Sequence, residues 1–251
     1  ENYRKLKDAG ITPCAAGYTD DIAIGANWYT IYYGSKWDQA QNNAQELMDG
    51  ASFADYKGYS EALDQWREIM TNYQNDDRKT IDTARAEQMF ANGDTAMIII
   101  GTWGLGAIMG YNPDGNFGGF TYPSENNADD CAVPVNIDDC WMISEDTQNK
   151  DAALAFLEYA TRAEVNSKWC GTASQLSALD GVECDTLPQA AQDIANEIAT
   201  KKTTAWASIS NLTGQFSTAY YATLHDFANN DDMTNEEWIA EIDGEFASAR
   251  K

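Results

Sequence analysis

His225 is the only imidazole in this chain, and its five cysteines, Cys14, Cys131, Cys140, Cys170 and Cys184, never take a CxxC spacing. A zinc site of Cys and His therefore lacks ligands. The sequence motifs of common catalysis are missing too. There is no GxSxG for a nucleophile elbow, no GxxxxGK[ST] to cradle phosphates and no D-x-D-x-D-G calcium loop. Gly104-Leu105-Gly106 follows a candidate strand, yet Met109 stands where GxGxxG requires its third glycine. A triad would have to use His225, which lies among Tyr220, Tyr221, Leu224 and Phe227 at helical spacing and reads as a packed or capping side chain. Positive charge is scarce, 16 Lys and Arg against 40 Asp and Glu, a net charge of −24. That field repels polyanions, so nucleic acid is excluded as a partner. Apolar runs such as Ala96 to Ile100 are far short of the ~20 residues of a membrane helix, and no signal peptide is visible.

The cysteines leave alternatives open. Cys170 with Cys184, or Cys131 with Cys140, could close a short loop, and five reduced, buried thiols fit equally well. Paired carboxylates (Asp20-Asp21, Asp76-Asp77, Asp129-Asp130, Asp138-Asp139, Asp231-Asp232) are what 40 acidic residues produce by chance, and most read as solvated surface. Asp138-Asp139 differs, because it stands between two apolar stretches.

What is present describes a globular protein. The 251 residues are 43% apolar and 22% charged, enough for one large domain or two modest lobes. Eight Trp and thirteen Tyr supply packing, with a surplus for an aromatic-lined pocket. Glu1 to Ala9 reads as a helix stopped by Gly10, with no N-cap, which suggests a piece of a longer chain. Ile11 to Gly17 reads as a buried strand. The aromatic segment Trp28 to Tyr33 is helical or extended. Ser60 suggests an N-cap, before Leu63, Trp66, Met70 and Tyr73 at helical spacing. Asp82 to Asn92 reads as a helix stopped by Gly93. Ala96 to Ile100 then reads as a strand covered on both faces, ending in a glycine turn and a short helix. Short strands are expected at Gly119 to Pro123, Val133 to Ile137 and Trp141 to Ser144. Further helices are expected at Asp151 to Thr161, Gln189 to Ala199, Gly214 to Ala228 and Asn235 to Ala249. Helix, strand, glycine turn and helix make an α/β fold.

The stretch Ala86-Glu87-Gln88-Met89-Phe90-Ala91-Asn92-Gly93-Asp94-Thr95-Ala96-Met97, followed by Ile98-Ile99-Ile100-Gly101-Thr102-Trp103, resembles the central signature of bacterial extracellular solute-binding proteins of the maltose-binding type. Leu6 to Pro13 resembles that family's entry into its second lobe. Ile143-Ser144 with Asn149 to Leu157 resembles its strand and helix after the hinge. The resemblance covers nearly the whole chain, with the front of the family pattern missing. It implies a periplasmic-binding-protein-like (type II) two-lobe architecture, here mainly the second lobe. Residues 1–138 and 190–251 would form that lobe, and 139–189 would be a first-lobe segment after the hinge. It further implies a sugar or oligosaccharide as ligand, ABC transporter permease subunits as partners, no cofactor and no catalysis. An extracellular or periplasmic monomer is expected, with a signal peptide or lipid anchor in the missing front.

Ligand contact is expected first of Trp103, whose indole follows a strand at a glycine turn, where open α/β sheets receive ligands. Asp138 and Asp139 occupy the family's hinge position. Asp20, Asp21 and Trp28 follow the first strand, and Trp206 and Gln215 fall near the opposite wall. The alternatives are a binding protein for a polyamine, metal or peptide, a two-carboxylate glycoside hydrolase, or an adhesion module without a cleft.

Overall fold

The structure, a computed structural model, describes residues 1–35, 43–123, 125–135, 140–184, 186–205 and 212–251. The chain opens with α1 (Asn2–Asp8) and β1 (Thr12–Ala15). Next come α2 (Asp21–Ser35), α3 (Asn43–Asp49), α4 (Lys57–Asn72), α5 (Thr83–Asn92) and β2 (Thr95–Ile98). After them follow α6 (Leu105–Tyr111), β3 (Val133–Val135), α7 (Lys150–Ala160), α8 (Ala163–Ala173), α9 (Gln189–Thr200) and β4 (Thr203–Ala205). Two helices close the chain, α10 (Gln215–Asn229) and α11 (Asn235–Ala249).

Where local signals are strong, helices stand where the sequence places them. The Asp82 side chain caps α5 by accepting from the Arg85 amide at 2.8 Å. Gly93 ends that helix at φ 80°, a left-handed conformation that a side chain would oppose. Thr234 and Glu237 form a reciprocal capping box at the start of α11.

The aromatic segment is α2. It is apolar on most sides, so no stripe distinguishes helix from strand, and its surroundings bury it. Ile24, Trp28, Ile31, Tyr32 and Tyr33 are each 0% exposed. They meet Leu63 and Trp66 of α4, Tyr220 and Phe227 of α10, and Trp238 and Ile242 of α11 in one core. A fully buried aromatic or aliphatic side chain contributes about 1.5–3 kcal/mol, so this helical layer dominates the energetics.

β1 and β2 pair in parallel, with Thr12 opposite Thr95, Cys14 opposite Met97 and Ala15 opposite Ile98. β3 and β4 form a second parallel pair. Several expectations are corrected. Only Thr95 of β2 is fully buried and Ala96 to Ile98 are half-buried, so the strand is not covered on both faces. α4 begins at Lys57 with Tyr56 as its cap, three residues before Ser60 completes its first turn. Gly119 to Pro123 is not a strand. Its Gly119 and Thr121 amides donate to the Asp193 and Glu197 carboxylates of α9, at 3.0 and 2.8 Å, in place of a ladder. Trp141 to Ser144 is not a strand either. Trp141 lies exposed beside Phe156 of α7 and Trp169 of α8, the latter a helix without a strong sequence signal.

A cation cluster ties α4 and the stretch before α5 to the α10–α11 turn. Asp231 accepts from Lys79 at 2.5 Å and Arg78 at 3.2 Å, with Arg67 at 3.8 Å. Burial alone would push its carboxyl up, but the Lys79 hydrogen bond and the charges of Lys79, Arg78 and Arg67 hold it below the usual range. A depressed folded pKa adds stability that is present above the unfolded value, about 3.9. The gain is lost as pH falls through the folded value. Asp231 is 52% exposed, so the gain is at most about 1 kcal/mol. Melting the protein and Asp231→Asn in parallel should show a constant gap above about pH 5 that closes in acid. A gap that persists at pH 2 would contradict this.

Candidate functional site

The parallel pairing of β1 with β2 sends the chain out of both strands at one edge of the sheet. From β1 it reaches Tyr18, Asp20 and Asp21, and from β2 it reaches Gly101 and Trp103. In open α/β sheets this carboxyl edge is where ligands sit.

Trp103 stands in a single 3-10 turn, Thr102–Gly104, directly after that edge. It is half-buried. Its ring folds back over Gly101 so closely that a Cβ there would overlap the indole. Gly104 packs beside the Glu87 carboxyl of α5, leaving 3.0 Å between that oxygen and a built Cβ. Glu87 is 7% exposed, and burial, then the charges of Asp20 and Asp82, push its carboxyl up.

Asp20 is half-buried, and its oxygens are engaged. They accept from the Ile22 amide at 3.0 Å, the Thr83 amide at 2.8 Å and the Thr83 hydroxyl at 2.6 Å. Asp20 thus locks the start of α2 to the start of α5, the helix that carries Glu87. Asp21, its exposed neighbour, lines an open recess of about 480 Å³ with Ser217, Thr218, Tyr221, His225 and Asp226 of α10. Gln215 is exposed and is the first residue of the same helix. The Tyr29 hydroxyl donates to that of Tyr221, joining α2 to the recess wall.

Trp28 is corrected. It is 0% exposed, its ring stacks on Tyr32 at 5.3 Å, and its indole N–H donates to the Tyr220 hydroxyl at 2.7 Å. Seven residues past Asp21, it points inward, because α2 presents its aromatic side chains to α4, α10 and α11. Asp138, Asp139 and Trp206 lie outside the described residues. Of the expected residues, Asp20, Asp21 and Trp103 follow the carboxyl edge of β1 and β2, whereas Gln215 starts α10, whose far end, Asn229, is the one that reaches Tyr18 at that edge. Reading by sequence missed Ser217, Tyr221 and Glu87. Their roles arise from helix packing, and Glu87 alone had a local cue, as a carboxylate inside the central signature.

A family model described as bacterial extracellular solute-binding protein matches residues 11–197. The chain belongs to that family. Solved structures agree on the fold. The solute-binding protein RafE in complex with raffinose shares 18% identity at a TM-score of 0.75, over 99% of this chain and 64% of that one. A chitin oligosaccharide binding protein shares 16% at 0.78, over 99% and 62%. A sugar transporter of Bacillus licheniformis in complex with stachyose shares 14% at 0.73, over 98% and 64%. The family member described here therefore spans a little under two thirds of these proteins and has their α/β, periplasmic-binding type of fold. No curated protein matches the sequence.

Proposed function

We propose that this chain is the larger part of a sugar-binding receptor of an ABC transporter. It would bind a sugar or oligosaccharide without chemistry and deliver it to permease subunits. The observation that carries the reading is Trp103, a half-buried indole at the carboxyl edge of β1 and β2 within the family signature. An aromatic face covers the C–H face of a sugar ring, while hydroxyls and carboxylates such as those of Ser217, Tyr221 and Asp21 bond its hydroxyl groups. The neutral hydroxyls of Ser217, Thr218 and Tyr221 in the recess suit a polyol. The raffinose, chitin-oligosaccharide and stachyose proteins, which share this fold, support the same class of ligand.

In this reading residues 1–138 and 190–251 form one lobe and 139–189 belong to the other. Ligand between the lobes favours the closed form by its higher affinity for it. Trp103 covers the sugar, Asp21 and Gln215 approach from the facing helices, and Asp20 holds α2 and α5 in place. Asp138, Asp139 and Trp206 remain proposed contacts. The receptor acts as an extracellular, cell-surface or periplasmic monomer, without cofactor, exported by a signal peptide or held by a lipid anchor.

Calorimetric titration of the full-length protein with neutral oligosaccharides should give saturable binding with no product. Sugar cleavage would establish the hydrolase instead, and binding of polyamines alone would establish a cation receptor. Gly101→Ala tests the indole placement without deleting the ring. The new Cβ must displace the indole, so affinity should fall about tenfold, or ~1.4 kcal/mol. Unchanged affinity would remove Trp103 from the site.

A further inference from the structure

We propose that Cys170 and Cys184 are a disulfide-forming pair that staples the irregular stretch after α8 onto that helix. α8 ends at Ser174, which takes a left-handed φ of 56° and turns the chain back along the helix. The returning stretch docks at three points. Ser177 donates to the Asn166 side chain at 2.7 Å, Ser167 donates to the Glu183 carbonyl at 2.7 Å, and the Thr186 side chain lies against Gly171. Positions 166, 167, 170 and 171 share one helix face. The contacts of Ser167 and Gly171 therefore bracket Cys170 on the helix, and those of Glu183 and Thr186 bracket Cys184 on the returning chain. The Cys170 thiol donates to the Asn166 side chain at 3.5 Å, the same oxygen that Ser177 reaches from the returning stretch, and Cys184 is its neighbour there. Cys170 is 1% exposed and Cys184 half-buried. The rival pairing has no such support among the described residues: the Cys131 thiol faces the Glu125 and Asn127 carbonyls, while Cys140 is exposed.

The oxidant is a disulfide, small or protein-borne, of the kind an extracellular compartment maintains. The Cys184 thiolate attacks one of its sulfurs, breaking that S–S bond and expelling one thiolate. Cys170 then gives its proton to solvent and attacks the Cys184 sulfur of the mixed disulfide. The Cys170–Cys184 bond forms and the second thiol leaves. The pair loses two electrons and the oxidant gains two. Burial and then the neighbouring Cys184 push the Cys170 thiol up to about 11, so the accessible Cys184 acts first. The pairing stands on loop geometry; only the oxidant rests on the family's extracellular setting.

The test treats the whole chain with oxidised glutathione, alkylates free thiols and digests before aspartates. Five cysteines are present, so three should be alkylated, with peptide 151–179 joined to 180–184 until a reductant separates them. The oxidised protein should melt several degrees above the reduced one, and Cys184→Ser should lose both the link and the shift. Five alkylated thiols after oxidation, glutathione retained on Cys184, or a Cys131–Cys140 link would each overturn the proposal. Sugar binding is titrated on the same samples, and its failure would leave the disulfide result standing.

Discussion

Trp28→Ala is expected to cost about 4 kcal/mol of folding stability, a large share of the ~5–15 kcal/mol that holds a typical protein together. The indole is wholly enclosed. It stacks on Tyr32 and Tyr59, with ring centroids 5.3 and 6.1 Å away, and meets Trp66 at 5.7 Å and Trp238 at 6.0 Å. Truncation would leave a cavity at the junction of four helices and strip the Tyr220 hydroxyl of its 2.7 Å donor. Trp28→Phe keeps most of the volume and loses the hydrogen bond, so about 1–2 kcal/mol is expected. Urea midpoints measure both. An alanine variant that unfolds like the parent but no longer binds sugar would return Trp28 to the list of ligand contacts.

Trp103→Ala should do the reverse. Affinity for the sugar should fall roughly 100-fold, close to 2.7 kcal/mol, as for a central aromatic anchor. Stability should change by only about 1 kcal/mol, because the ring is half-buried and rests on a glycine. Calorimetric titration and thermal melting of the same preparation separate the two effects. Full affinity in Trp103→Ala would defeat the stacking role, and a collapse in stability would show the indole to be a core residue. The two tryptophans thus form an internal control: one deletion is read in folding, the other in binding.

The contrast between these residues shows how far the sequence reaches. Both are tryptophans shortly after a strand, and both were expected at the ligand. Trp103 is set by neighbours in the chain, because Gly101 and the end of β2 hold the ring near the sheet edge. Trp28 is set by α4, α10 and α11, about thirty to two hundred residues away in sequence, and no window around it contains that information. Asp20 follows the same rule. Its identity suggests a ligand contact, but Thr83, 63 positions later, takes its oxygens. Tyr221 and Ser217 became part of the recess only through the packing of α2 against α10.

By itself, the sequence determined the family, through the run from Ala86 to Trp103, and the helices with local start and stop signals at Asp82, Gly93 and Thr234. Such signals act within a few residues, where backbone geometry and capping bonds are complete in themselves. Only the tertiary structure decided that the aromatic segment is helix α2, that its indole is core, and that Asp20 is a brace. Those outcomes depend on which distant surfaces close over a side chain, because burial and partner choice are properties of the packed whole.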